Sequence, residues 1–289
     1  MLFAILAAIS FGVARVFAGV GLPIMKPLHG SIVSLIVSWL LAMVICLILQ
    51  FKALTSLTLV NIGWLAITGL LSFALGRGFS FLGIKYIGVS RSITIYASYP
   101  VFTIALALPL LGERVSVPLI IGVLLIIGGI TLLVSEPETE KKVTTGVNRL
   151  LGIGFSLASA MSYGANMVLI RWIVTSKVNP VVATTVSIFF GMLILMATSG
   201  RHLTDSIKSS RRATAFFAFS GVAMTIGSVA SYTSLSLAPA VLVSSLGATS
   251  PLFAILGTYL FLQKLEKVTY QVVIGSLMVV GGGVMVTMG

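Results

Sequence analysis

The chain has 289 residues, 58% of them hydrophobic and only 8% charged, with a formal net charge of +12. A soluble chain carries about a quarter charged residues, so this one cannot cover itself in water and its solvent is lipid. The basic residues lie singly or in short groups between apolar segments, with no stripe or arm, which excludes a nucleic-acid partner and suits topology signals at a bilayer.

Ten apolar segments follow one another, each close to the ~20 residues that a helix needs to cross a bilayer. In chain order they are 2–22, 31–51, 62–84, 92–111, 117–134, 150–170, 181–199, 213–233, 241–262 and 272–288. The chain enters the first without a basic leader, so that stretch reads as a spanning helix and not as a signal peptide. Cys46, the only cysteine, lies in the second segment and excludes an intrachain disulfide. Residues 135–149 are polar and read as a linker, and no connection is long enough to hold a soluble domain. The expected fold is an all-α integral membrane protein of ten helices.

The last five segments repeat the first five at an offset of 151 to 153 residues. Ser10-Phe11-Gly12 matches Ser162-Tyr163-Gly164, Pro100 matches Pro251, Gly122 matches Gly275, and Gly128-Gly129 matches Gly281-Gly282. With five crossings in each half, residues 1–134 and 150–289 form two repeats of opposite orientation, an architecture of transporters with the site where the halves meet. Pro100 and Pro251 remove a backbone donor within a helix and are expected to kink it, as gating points beside a cavity.

Polar residues at helical spacing mark candidate substrate-binding faces. Tyr163 and Asn166 share a face with Ser159 and Ser162; Ser228 and Tyr232 lie with Thr225; Ser245 lies with Thr249; Tyr96 and Tyr99 lie near Ser92. Each hydroxyl also has a structural use, bonding a neighbouring backbone or helix. Arg15 and Arg77 stand out, because both fall inside apolar segments that run in the same direction. An arginine near the bilayer centre costs about 2.5–3.5 kcal/mol on insertion scales, and its planar fork suits a carboxylate or phosphate. Arg77 and Arg15 are therefore candidate ligands for an anionic group; the alternative is that they reach a surface or bond to helix carbonyls.

The run Leu110-Leu111-Gly112-Glu113-Arg114, its looser copy Phe261-Leu262-Gln263-Lys264-Leu265-Glu266, the segment Gly83-Ile84-Lys85-Tyr86-Ile87 and the run Tyr163-Gly164-Ala165-Asn166 resemble motifs of the drug/metabolite transporter superfamily in its ten-helix EamA-type form. Half one departs from the last motif, with Ala14 in place of the asparagine and Arg15 after it. The resemblance implies export or exchange of small metabolites, amino acids among them, through a central cavity lined by the first, third, fourth, sixth, eighth and ninth helices. It implies no cofactor, and no nucleotide-binding run is present, so transport is secondary or facilitative, across the cell membrane.

All six acidic residues fall in expected loops or at helix ends. That disfavours proton-coupled export of organic cations and favours a neutral, zwitterionic or anionic cargo. A sugar-phosphate or nucleotide-sugar exchanger is the alternative, weakened because the counterparts of Arg15 and Arg77 are Met167 and Ser228. A membrane enzyme is disfavoured: His29 and His202 fall in expected loops, no catalytic constellation appears within the spans, and no metal site is expected. Twelve Lys and Arg in odd-numbered connections against four in even ones place both termini outside, opposite to the family's usual arrangement. The oligomeric state is open, a monomer sufficing.

Overall fold

A computed structural model describes residues 1–111, 116–134, 146–175, 178–250, 253–254, 256–257 and 270–287. The described chain is helical: α1 (Leu2–Gly21), α2 (Pro27–Leu49), α3 (Phe51–Thr55), α4 (Leu59–Thr68), a π-helical segment (Gly69–Gly76), α5 (Arg77–Ile87), α6 (Val89–Tyr96), α7 (Tyr99–Leu111), α8 (Val117–Val134), α9 (Gly146–Thr175), α10 (Pro180–Ser199), α11 (Leu203–Ser209), α12 (Arg211–Leu237), α13 (Ala240–Gly247) and α14 (Tyr270–Thr287). Among the described residues, seven helical stretches have the length and hydropathy to cross a membrane. Large apolar side chains such as Leu40, Val44, Ile48, Leu124 and Phe219 point outward, while Ser34, Thr68, Ser187 and Thr225 are fully buried. This inversion of the soluble pattern is what a lipid solvent selects.

Local chemistry sets the ends. Pro27 and Pro180 occupy the first positions of α2 and α10, where a missing N–H costs nothing. The Asn179 side chain accepts a 2.9 Å bond from the Val181 N–H at the start of α10. Gly88, at φ 84°, separates α5 from α6 in a conformation that favours glycine.

Three boundaries differ from the sequence reading. Helix α2 begins at its proline, so His29 sits buried in the first turn, its Nδ1 2.6 Å from the Ser206 hydroxyl, and not in a loop. Helix α9 begins at Gly146, which makes the end of the expected linker helical. The fourth segment is two helices with a turn at Ala97-Ser98, and Pro100 falls in the first turn of the second, where its ring is well accommodated. The ninth segment opens as α13; Pro251 and residues 258–269 lie outside the described residues.

Helix α1 packs on α12, α5 on α9, α2 on both α10 and α12, and α8 on α14. The close contacts are reciprocal between the halves. A Cβ at Gly12 would strike Phe253, the Ser250 carbonyl and the Ala254 nitrogen; one at Gly164 would strike Phe102, the Tyr99 carbonyl and the Thr103 nitrogen, each 151 residues earlier. Gly69 lies against the Ser187 carbonyl and Phe190, and Gly221 against the Ser34 carbonyl and Val37.

The third segment, expected as one regular helix over 62–84, carries the π-helical turn in its middle. Gly69 and its counterpart Gly221 are 152 residues apart, whereas Gly76 and Gly227 are 151 apart. Gly76 abuts Tyr163 and Gly227 abuts Phe11, so these two glycines also occupy matching places. One extra residue therefore lies between Gly69 and Gly76, where a π turn absorbs it; α12 spans the equivalent stretch as α-helix.

Candidate functional site

Arg77 follows directly on the π turn and is 1% exposed; Arg15, on α1, is 4% exposed. Both line one small pocket of about 10 Å³, with Ser80, Tyr163, Ser220 and Met224 among the other walls and Ala14 and Phe81 closing it. That volume admits about one water-sized group. The Arg77 Nη2 donates to the Ser34 hydroxyl at 2.5 Å. Its Nε and Nη1, the Nη1 of Arg15 and the Ser220 hydroxyl are buried without a protein partner. The Arg15 guanidinium lies 3.8 Å from the centroid of the Tyr96 ring, stacked as a cation on an aromatic face. Tyr96 in turn meets Tyr163 edge-on at 5.0 Å and Tyr99 at 5.2 Å.

Two buried cations need compensation. Asp205 is the only side-chain carboxylate among the described residues, and it is 77% exposed beside His202, far from this role. Hydrogen bonds, the Tyr96 face for Arg15 and the more distant Phe81 ring for Arg77, at 5.9 Å, are what the described residues offer the pair.

A second polar cluster lies next to the pocket. The Thr68 hydroxyl is 2.5 Å from that of Ser187, and the Tyr232 hydroxyl faces Thr68, Ser72, Asn166 and Ser187, although none meets it with hydrogen-bond geometry. The pocket is the counterpart of this cluster under the repeat. Ser220 matches Thr68, Ser34 matches Ser187, Met224 matches Ser72, Ala14 matches Asn166, and Phe81 matches Tyr232. Where one half fills the place with an amide and a phenol, the other has a methyl group and a phenyl ring. The space released is bordered by Arg15 and Arg77, whose own counterparts are the buried Met167 and Ser228.

The structure therefore brings together Arg15, Arg77, Tyr96 and Tyr163, and places Asn166 and Tyr232 in the adjoining cluster. Ser228 is buried on α12, one turn before Tyr232. Tyr99 donates to the Ser244 carbonyl at 2.7 Å, Ser245 to the Val241 carbonyl at 2.8 Å, and Thr249 to the Leu246 carbonyl at 2.7 Å, so their donors are spent inside the protein. Ser34, Ser80 and Ser220 have no place in the sequence reading; their signal lies in the register that carries Ser80 one turn beyond Arg77 and sets Ser34 and Ser220 opposite it.

The chain matches the EamA-like transporter family over residues 1–135 and 150–288. It belongs to that family. The family falls within the drug/metabolite transporter superfamily, and its members are membrane transporters of small molecules. This EamA-like chain is thus a multi-pass membrane protein of that functional class. Its fold is also represented among solved structures, 28 chains of which match. One crystal structure covers 98% of this chain and 96% of its own at a TM-score of 0.61 and 16% identity, a likeness that shows the fold alone. No curated protein matches the chain.

Proposed function

We propose that this EamA-like protein carries small metabolites bearing an anionic group, amino acids or other carboxylates, across the cell membrane by secondary or facilitative transport, in the direction of export or exchange. The observation that carries this reading is the pair Arg15 and Arg77, buried against one pocket with unpartnered nitrogens and no described carboxylate within the spans. A carboxylate would supply the missing charge and accept from the guanidinium edge in its preferred geometry. Reciprocal contacts between residues 1–134 and 150–289 support two inverted halves that rock about the site. At about 10 Å³ the pocket is too small for an organic anion as it stands, so loading requires the halves to part.

The test is thermal unfolding of the detergent-purified protein against a panel of amino acids, other carboxylates, neutral compounds and cations, with Arg77→Ala in parallel. Ligands that bind the native state raise the melting temperature by mass action. Carboxylates are expected to stabilise the parent and not the variant. Stabilisation by neutral or cationic compounds alone, or an equal response of Arg77→Ala, moves the site to the hydroxyl-bearing faces.

A further inference from the structure

We propose that the pocket between Arg15 and Arg77 is a halide site, occupied by chloride in the closed arrangement of the helices and vacated when an organic carboxylate enters. The inference rests on the reading of the two arginines as the anion locus. Three observations lead to it, and they concern size, charge and wall chemistry.

Size comes first. At about 10 Å³ the pocket has room for about one water-sized group, so a monatomic ion such as chloride, slightly larger than water, needs only a small give in the walls, whereas a carboxylate with its carbon attached needs far more. Charge comes next. Water would fit but would leave two desolvated guanidinium groups uncompensated, whereas one monovalent anion offsets half of their charge and bonds to both. The donors are in place: Nε and Nη1 of Arg77, Nη1 of Arg15 and the Ser220 hydroxyl are all buried and without a protein acceptor. Of the remaining walls, Ser80 and Tyr163 are polar, and Ala14, Phe81 and Met224 are apolar and polarizable. Such walls suit a large, weakly hydrated ion better than a small, strongly hydrated one.

The comparison between the halves gives the same answer independently. The counterpart cluster of Thr68, Ser72, Asn166, Ser187 and Tyr232 is filled by its own side chains and is neutral. Replacing an asparagine and a tyrosine hydroxyl by Ala14 and Phe81 removes about the volume of a few heavy atoms, Met224 in place of Ser72 returns part of it, and Arg15 and Arg77 give what is left a positive lining. A place that neutral side chains fill on one side of the repeat is thus open to two arginines on the other.

The decisive experiment titrates sodium chloride against sodium methanesulfonate at constant ionic strength and follows the melting temperature of the full chain in detergent. Methanesulfonate is polyatomic and exceeds the pocket, so it controls for screening. The parent and Arg211→Gln, a variant at an exposed arginine outside the site, are expected to show a saturable rise with chloride and with bromide. Ser220→Ala and Arg77→Lys, which keep the fold by removing one hydroxyl or preserving the charge, should raise the half-saturating chloride concentration by roughly 10-fold or more, as for a lost hydrogen bond to a charged group. A rise that does not saturate, or that methanesulfonate reproduces, overturns the halide site. So does an unchanged half-saturation in both variants. Carboxylates that stabilise without any chloride response overturn the halide site and leave the transport reading intact. Saturable chloride binding with no carboxylate response supports the halide site and overturns the carboxylate cargo. When both bind, added carboxylate must shift the chloride curve to higher concentration.

Discussion

At the scale of single residues, Arg15 and Arg77 are held by unlike means. Arg77 has one hydrogen bond to Ser34 and the Phe81 ring at 5.9 Å, and Arg15 has the face of Tyr96 at 3.8 Å. A desolvated cation on an aromatic face is worth up to about 2 kcal/mol, comparable to the cost of inserting the charge. Tyr96→Phe keeps the face and should leave anion-induced stabilisation within about twofold of the parent, while Tyr96→Leu should weaken it by roughly 5- to 30-fold; half-saturating concentrations from thermal unfolding read both. Loss in Tyr96→Phe as well would make the hydroxyl, and not the ring, the operative group. The arginines were legible in the sequence because a charge in an apolar run is costly and therefore conspicuous. Ser34 and Ser220 were not, since serine is common in membrane helices and only the packing of α2 and α12 against the pocket distinguishes these two.

At the scale of elements, hydrophobic length located the seven spans found among the described residues but not their interruptions. The sequence reading takes 62–84 as one regular helix and 92–111 as one helix kinked at Pro100, because lipid-facing apolarity continues across a π turn and across the Ala97-Ser98 turn alike. The change of offset between Gly69/Gly221 and Gly76/Gly227 is a sequence signal for the first, readable once the contacts fix which glycines correspond. Glycine matches reported helix contact more directly. Gly129 sits under the Gly275 carbonyl and Gly282 under that of Gly122, so α8 and α14 meet backbone to backbone. Gly282→Leu should destabilise the protein by about 1–3 kcal/mol through overpacking. Gly154→Ala, on a face of α9 with nothing within 4 Å of the new methyl, should be neutral or stabilise by up to about 1 kcal/mol. Thermal unfolding of the two variants side by side checks the contrast, and equal effects would place α8 and α14 out of close contact.

For the whole molecule, the excess of Lys and Arg in odd-numbered connections predicts that these face the cytoplasm. Single cysteines in a Cys46→Ser background test this. Lys52→Cys should react with a membrane-impermeant maleimide on intact cells, and Ser209→Cys only after lysis; both positions are exposed. The reverse pattern gives the family's usual orientation instead. Under the proposed arrangement of inverted halves the site would keep its depth in either orientation, since it would be presented alternately to both sides.

The extra residue in the third span has a consequence for how such a protein diversifies. In a chain made by copying, a residue present in one copy and absent from the other is a change made after the copying. Here it lies between Gly69 and Gly76, in the turn that leads into Arg77, in the half that carries a methyl and a phenyl where the other has an amide and a phenol. The two matching places thereby differ in what they can admit: the one at Asn166 and Tyr232 is filled by its own side chains, and the one at Ala14 and Phe81 lies open to Arg15 and Arg77.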